Sequence, residues 1–416
     1  MVEKIEFYKE TEFKDTEIGR IPKEWEIKRL KDIVIKAKMG GTPRRNISEY
    51  WKGNIPFVKI EDITMSGKYL YNTEEFITEK GLENSSVWIV PKDSLLLAIY
   101  GSLGSIGINK IDVATNQAIV GIIPNNDILG IEFLYYYYLY FKPHWYKFIK
   151  KSTQPNLTLG IILDSLVPIP PLEEQKKIAE ILSNIDGAIQ KTDEIIGKTE
   201  SLKKGLMQEL LTKGIGHKEF KDTEIGRIPK DWEYISAADI ADYINGYPFS
   251  PTDWKMYGIP IIRIQNLNDP NAEFNFFNGE IDDIYKIKNG DLLFSWSASI
   301  GIYIWKRGDA VLNQHIFKVI PKTNINKLFL YYDLLLAIEQ LKGRVHGSTM
   351  KHFQKNELKT TFIPIPSIKE QQKIAEILST VDKKLEVLKQ EKVKFEKIKQ
   401  WFMDKLLTGR IRVRIA

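Results

Sequence analysis

The side chains best suited to chemistry lie in a few short turns. Gly40-Gly41-Thr42-Pro43 leads directly into Arg44 and Arg45. Such a loop lets backbone and guanidinium groups approach a phosphate or a base edge, and an ordinary surface turn has the same composition. GSLGSIG from Gly101 has the glycines of a phosphate turn without the G-x-x-x-x-G-K-[ST] order, and Gly197-Lys198-Thr199 falls inside a helical stretch with Thr192 where the first glycine should stand. There is no Cys, which removes disulfides, thiolate nucleophiles and Cys-based metal sites. The five His (His144, His217, His315, His346, His352) show no metal-ligand spacing within one predicted element, so a metal site is not expected. No Asn-Pro-Pro-Tyr or Asp-Pro-Pro-Tyr amino-methylation motif and no Pro-Asp…Glu-x-Lys nuclease core is present. These absences favour a binding protein.

The elements that must position these turns are written twice. FKDTEIGRIPKEWE at 13–26 recurs as FKDTEIGRIPKDWE at 220–233, an offset of 207, while EEQKKIAEILSNID from Glu173 and MQELLTKGI from Met207 recur as KEQQKIAEILSTVD and MDKLLTGRI at an offset of 196. Between these blocks the copies diverge: IPFVKIEDI from Ile55 answers IPIIRIQNL from Ile259, and Asn116-Gln117 answers Asn313-Gln314. The 416 residues, 43% hydrophobic and 27% charged, exceed one typical domain and suit two soluble α/β (α+β) cores. The expected division is an N-terminal segment 1–26, a first domain 27–171, a helix 172–212, a connector 213–233, a second domain 234–366, and a second helix with basic tail 367–416. No run of about 18 uncharged apolar residues occurs, and the N-terminus has no signal-like h-region, so a cytoplasmic location is expected.

Pro168, Pro170 and Pro171 stop the preceding segment, and Glu173 and Glu174 suit the positive end of a helix dipole. A seven-residue stripe then runs through Ile178, Ile181, Ile185, Ile195, Leu202 and Leu206, and in the second copy through Ile374, Ile377, Val381, Leu388, Phe395 and Phe402. This pattern predicts two helices of about 60 Å pairing as a coiled coil. Antiparallel pairing would set one domain near each end of a rod. Trp25 and Trp232, in the repeated Ile-Pro-Lys-x-Trp, read as core anchors. LKDIVI from Leu30 reads as helix-like, and the serine-spaced runs near Ser102 and Ser297 read as half-buried strands. FLYYYYLYF and LFLYYDLLL read as core helices in preference to stacking platforms for single strands.

These blocks resemble the specificity subunit of type I restriction-modification enzymes. The resemblance rests on GGTPRRNISEYWKGNIPFVKIEDI from Gly40, TNQAIVGIIP from Thr115, QPNLTLGIILDSLVPIPPLEEQKKIAEIL from Gln154, and IPIPSIKEQQKIAEIL from Ile363. It implies two target-recognition domains, each reading half of a split double-stranded DNA site, on a non-catalytic chain. Two modification subunits would bring S-adenosylmethionine, and restriction or translocase subunits could join; this chain would bind no cofactor itself. Candidate contacts are then Thr42, Arg44, Arg45, Lys59, Ser102, Asn116 and Gln117 in the first domain, and Tyr247, Arg263, Gln265, Ser297, Asn313, Gln314, Arg344 and His346 in the second. The second domain departs from the first at Gly246-Tyr247-Pro248-Phe249, where no arginine pair follows. A coiled-coil scaffold without DNA binding and a self-contained methylase or nuclease are the alternatives. The net charge of +6 is unevenly placed: residues 27–171 carry +4, 234–366 carry +1, and 367–416 carry +6.

Overall fold

The computed structural model describes residues 6–145, 157–297, 299–344 and 355–414. The chain divides into two compact units, one formed by residues 1–192 with 391–416 and the other by 193–390. The division runs through both long helices. Four helices are used below: α1 (Ile131–Trp145), α2 (Leu172–Lys213), α3 (Lys327–Arg344) and α4 (Ile368–Leu406).

Unit 1 contains a five-stranded sheet in the order Val34–Met39, Ile119–Pro124, Ser94–Ala98, Ile106–Asn109, Tyr69–Leu70, and a four-stranded sheet Glu75–Ile77, Trp51–Val58, Val113–Thr115, Ile89–Val90. Unit 2 repeats this plan with Ala241–Asn245, Ile316–Pro321, Leu292–Ser295, Gly301–Ile304, and with Asn275–Phe277, Ile259–Ile262, Ala310–Leu312, Lys286–Ile287; the fifth strand has no counterpart among the described residues. In both units the two central strands of the smaller sheet are parallel, so their carboxyl ends lie side by side.

The aromatic run of α1 packs inward, with Phe133 through Tyr138 buried. LKDIVI is not helical: Leu30–Asp32 forms one 3-10 turn and Val34–Met39 is a strand paired with Ile119–Pro124. β-branched Val34 and Ile35 suit that strand, and a partner some 85 residues away overrides the local helical pattern.

The EQ and KEQ starts of the long helices have a structural purpose. Gln175 accepts from Gly130 N (2.8 Å) and donates to the carbonyls of Ile128 (2.9 Å) and Pro170 (2.8 Å). Gln371 likewise accepts from Asn326 N (2.8 Å) and donates to Asn324 (3.2 Å) and Pro366 (2.9 Å). Each buried amide thus uses its donor and acceptor to join a helix start to its domain.

Within each unit the halves of α2 and α4 run antiparallel. In unit 1 Ile178, Ile181 and Leu182 share a core with Met403 and Leu406, and Lys399 pairs with Asp186 at 2.6 Å. In unit 2 Met207 and Leu211 pack on Ile374, Ala375 and Leu378, with Lys203 on Asp382 at 2.6 Å and Lys389 on Glu200 at 2.7 Å. Ile185, Leu206, Ile377, Val381, Leu388, Phe395 and Phe402 are half-buried. The stripe departs from strict heptads in α2, where Ile195 and Leu202 are 44% and 55% exposed while Thr192, Ile196 and Thr199 are buried. A straight helix drifts by about 20° per heptad, enough to rotate a neighbouring position into the seam. The buried Thr192 and Thr199 hydroxyls are satisfied by the carbonyls of Ala188 and Ile195.

The repeated Phe-Lys-Asp-Thr and Gly-Arg-Ile-Pro blocks form equivalent hairpins, Phe13–Thr16 with Gly19–Pro22 and Phe220–Thr223 with Gly226–Pro229. Behind them Trp25 and Trp232 are fully buried and donate to Glu174 (3.2 Å) and Glu370 (3.1 Å). The clusters around these glutamates differ. Glu174 is held by Arg412, which also meets Glu10 and Glu24, and the strand Ile411–Val413 pairs with Phe7–Lys9. Glu370 is met by His217 at 2.8 Å and by Ile215 N at 2.8 Å.

Candidate nucleic-acid interface

In unit 1 the chain leaves Val34–Met39 at Gly40, where a Cβ would stand 2.1 Å from the Thr115 carbonyl oxygen, so no other residue fits. Gly40 N donates to Ile119 O and Gly41 N to Thr115 O, both at 2.9 Å. The same clamp recurs in unit 2: a Cβ on Gly246 would lie 2.3 Å from Asn313 O, Gly246 N donates to Ile316 O (3.1 Å), and Tyr247 N to Leu312 O (2.7 Å). Structurally, therefore, Gly40 matches Gly246 and Gly41 matches Tyr247.

Each clamp grips an Asn-Gln turn anchored to the neighbouring parallel strand. Asn116 N donates to Val58 O (3.2 Å) and Asn313 N to Ile262 O (3.1 Å). Lys59 and Arg263, the next residues of those strands, thereby lie beside the turns, and each caps a short helix through its backbone N–H, to Asp62 (2.7 Å) and Asn266 (3.0 Å) respectively. The Asn side chains serve their own turns, Asn116 Oδ1 accepting from Ala118 N (3.0 Å) and Asn313 Oδ1 from His315 N (3.5 Å).

The remaining side chains diverge. In unit 1 the Thr42 hydroxyl donates to exposed Gln117 Oε1. Arg45 and Lys59 converge on Glu75, at 2.6 and 3.2 Å, and Arg45 lies 3.9 Å over the Trp51 ring. Burial tends to raise the Glu75 pKa, but its two cations hold it below the usual value, and Glu75 in turn raises that of Lys59. Arg44 is exposed and makes no side-chain hydrogen bond or ion pair among the described residues; its carbonyl accepts from Trp51 Nε1 (3.2 Å). Ser102 is exposed on the separate turn between Ser94–Ala98 and Ile106–Asn109 and joins neither cluster.

In unit 2 Arg263 is held by neutral amides, Asn275 Oδ1 and Gln265 Oε1, both at 2.7 Å, and lies 5.0 Å over Trp254. Tyr247 packs against Phe249 and Tyr285. Gln314 Oε1, Trp296 Nε1 and His315 Nδ1 are buried without hydrogen-bond partners among the described residues. Ser297 is buried, and its carbonyl accepts from Ser295. His346 and the side chain of Arg344 lie outside the described residues.

The sequence reading missed Glu75, which Arg45 and Lys59 share, and the tryptophans beneath the arginines, Trp51 under Arg45 and Trp254 under Arg263. The repeated Trp-Lys before Ile55 and Ile259 was the available signal for the tryptophans; Glu75 has no counterpart pattern. Among the described residues no cluster of His, Asp or Glu could hold a metal ion, and no helix is long and apolar enough to cross a membrane. The arrangement presents hydrogen-bonding and cationic side chains on a glycine-clamped frame, which suits recognition.

Comparison with known proteins agrees in both sequence and fold. The model of the type I restriction modification DNA specificity domain matches twice, at residues 22–198 and 229–397. The chain is 30% identical to the type I restriction enzyme MjaVIII specificity subunit of Methanocaldococcus jannaschii, over 100% of this chain and 99% of that protein. It is 31% identical to the putative MjaX specificity subunit of the same organism, over the whole of both chains. A structure from work on assembly and conformational transition of the type I R-M system covers 94% of this chain and 99% of its own at a TM-score of 0.60 and 18% identity. The S subunit from M. genitalium covers 92% and 96% at 0.58 and 15%. With its domain matched in both halves and relatives aligned from end to end, the chain belongs to the family of type I restriction-modification DNA specificity proteins.

Proposed function

We propose that the two domains read the two unlike halves of a split double-stranded DNA site and that the chain performs no catalysis itself. The observation that carries this is the common frame: the same glycine clamp and Asn-Gln turn occur in both units, bearing Thr42, Gln117, Arg45 and Lys59 in one and Tyr247, Gln314 and Arg263 in the other. Arginine pairs bidentately with guanine and glutamine with adenine, each worth about 1–3 kcal/mol of discrimination. Unlike side chains on equal frames give unlike half-sites.

Modification subunits supply the methyl transfer in this reading, bringing S-adenosylmethionine, and two of them suit a twice-written connector. Restriction or translocase subunits can join the same assembly. The domain charges of +4 and +1 are weak for a protein that makes most phosphate contacts alone. The isolated chain is thus expected to bind DNA weakly and with strong salt dependence, tight specific binding needing the partners.

Exchange of residues 27–171 for the corresponding domain of a relative tests the reading, with N6-methyladenine mapped in cells that also hold the modification subunit. One half of the methylated site should change while the other half and the spacer persist. Unchanged methylation, or nanomolar specific binding by the purified chain at physiological salt, would overturn the respective part. A DNA-free scaffold predicts no sequence-dependent protection at all.

A further inference from the structure

Beneath each Ile-Gly-Arg-Ile-Pro turn lies a cavity, of about 590 Å³ in unit 1 and about 250 Å³ in unit 2. The two are equivalent by repeat. Ile18 and Arg20 line one where Ile225 and Arg227 line the other, and Leu407 and Thr408 answer Leu211 and Thr212. The domain helix differs at one telling position. Tyr137 of α1 and Asp333 of α3 stand at the offset of 196 that also relates Tyr136 to Tyr332. Tyr137 is self-sufficient, its hydroxyl donating to Leu166 O at 2.8 Å.

Asp333 is 4% exposed, lines the unit 2 cavity, and makes no hydrogen bond or ion pair among the described residues. Burial alone pushes its pKa well above the usual carboxylate value, because no partner replaces the water that would solvate the ionised form. Arg227, at the exposed mouth, does not serve it. Its guanidinium lies 5.4 Å over Phe220, just as Arg20 lies 5.0 Å over Phe13 in unit 1, where the carboxylates lining the cavity, Glu17 and Asp164, are exposed and Asp164 is paired with Lys31 and Arg29. The hairpin sets that pose.

We propose that the unit 2 cavity receives one basic side chain, lysine or arginine, from a protein subunit docking on the Ile225–Pro229 turn, with Asp333 as its counter-ion, and that the Tyr137 cavity of unit 1 takes none. This rests on the reading that partner subunits assemble on the chain. Leu211, Leu336, Ala337 and Phe362 line the cavity and would cover the methylene stem, as apolar surface commonly does for lysine and arginine. A cation at the floor favours the ionised carboxylate and draws its pKa back down. Two connectors nearly identical in sequence then hold two copies of one partner unequally.

The test uses the full chain with n-butylguanidinium and n-butylammonium as probes and n-butylurea as the neutral control. Each cation should raise the melting temperature of the wild-type chain near neutral pH. Asp333→Asn and Asp333→Leu should abolish the effect. With the modification subunit, native mass spectrometry should show two unequal docking steps, one of them weakened about tenfold or more by Asp333→Asn and neither by Tyr137→Phe. Asp333→Leu loses no buried counter-ion in the free chain and should fold at least as stably, which separates lost docking from unfolding. Equal shifts with butylurea, equal cation shifts in Asp333→Asn, no cation shift in wild type, or unchanged docking of both copies would each overturn the proposal. If no modification subunit docks on the wild-type chain, the assembly reading fails and the cation probes alone decide the site.

Discussion

In unit 1 two cations, Arg45 and Lys59, share the carboxylate of Glu75, whereas in unit 2 Arg263 sits between the neutral amides of Asn275 and Gln265. The frames beneath them share the backbone hydrogen bonds of Gly40 and Gly246, of Gly41 and Tyr247, and of Asn116 and Asn313. The side chains borne on this frame can therefore change partner and size without disturbing the sheet, because the glycine clamp is built from main-chain hydrogen bonds. A second contrast lies where the long helices begin. Glu174 is fully buried and fixed by Arg412, a residue from the far end of the chain, while Glu370 is met by His217 from the adjacent connector. Unit 1 is closed by the pairing of Phe7–Lys9 with Ile411–Val413, and the cluster of Arg412 with Glu174, Glu10 and Glu24 stands at that closure.

The largest expected effect breaks this second contrast. Arg412→Met leaves Glu174 buried beside Glu10 and Glu24 and should cost about 3–5 kcal/mol, confined to unit 1 in hydrogen exchange during urea unfolding. His217→Gln in unit 2 should cost only about 1 kcal/mol. Equal losses would show that the two closures are energetically alike.

Next in size is the cavity pair. Asp333→Leu should stabilise the free chain by about 1–3 kcal/mol, and Tyr137→Phe should lose about 1 kcal/mol with its hydrogen bond to Leu166. The pH dependence has a definite sign. Asp333 has a raised pKa in the folded state, so that state binds more protons, and the Asp333 contribution to stability is full below the unfolded value near pH 4 and declines as pH rises toward the folded value. Arg227 and the buried Tyr243 hydroxyl are its polar surroundings. Melting curves of wild type against Asp333→Asn should diverge over that rise; parallel curves would mean that Asp333 is solvated.

The recognition contrast comes third. Gln117→Ala should reduce discrimination at one position of one half-site about tenfold, measured from methylation rates on single-base variants, and Gln314→Ala should act only on the other half. Crossed effects would break the assignment of one domain to each half. Smallest of all, Leu202→Gln should shift stability by no more than about 0.5 kcal/mol because the side chain is exposed, against about 2–5 kcal/mol for Ile178→Ala.

The turn residues were legible because they repeat. Asn116-Gln117 and Asn313-Gln314 occupy equal places in both copies, and the paired glycines mark a close backbone approach. Glu75 was hidden, since it reaches Arg45 and Lys59 only when separate strands are brought together. The same holds for Asp333: within LFLYYDLLL it reads as one polar residue on an apolar helix, and only the surrounding fold leaves it without a partner.

From sequence alone, the repeat established two similar units, the prolines and Glu-Gln or Glu-Gln-Gln blocks marked the helix starts, and the apolar stripe identified the long helices. Each of these is encoded by neighbours within one or two turns of chain. Tertiary structure decided that Val34–Met39 is a strand, that Thr192 and Thr199 displace Ile195 and Leu202 from the buried face, and that Arg412 meets Glu174 across 238 residues. Such outcomes depend on which surfaces meet after folding. Local periodicity constrains the shape of an element, but burial and partner choice are properties of the assembled core.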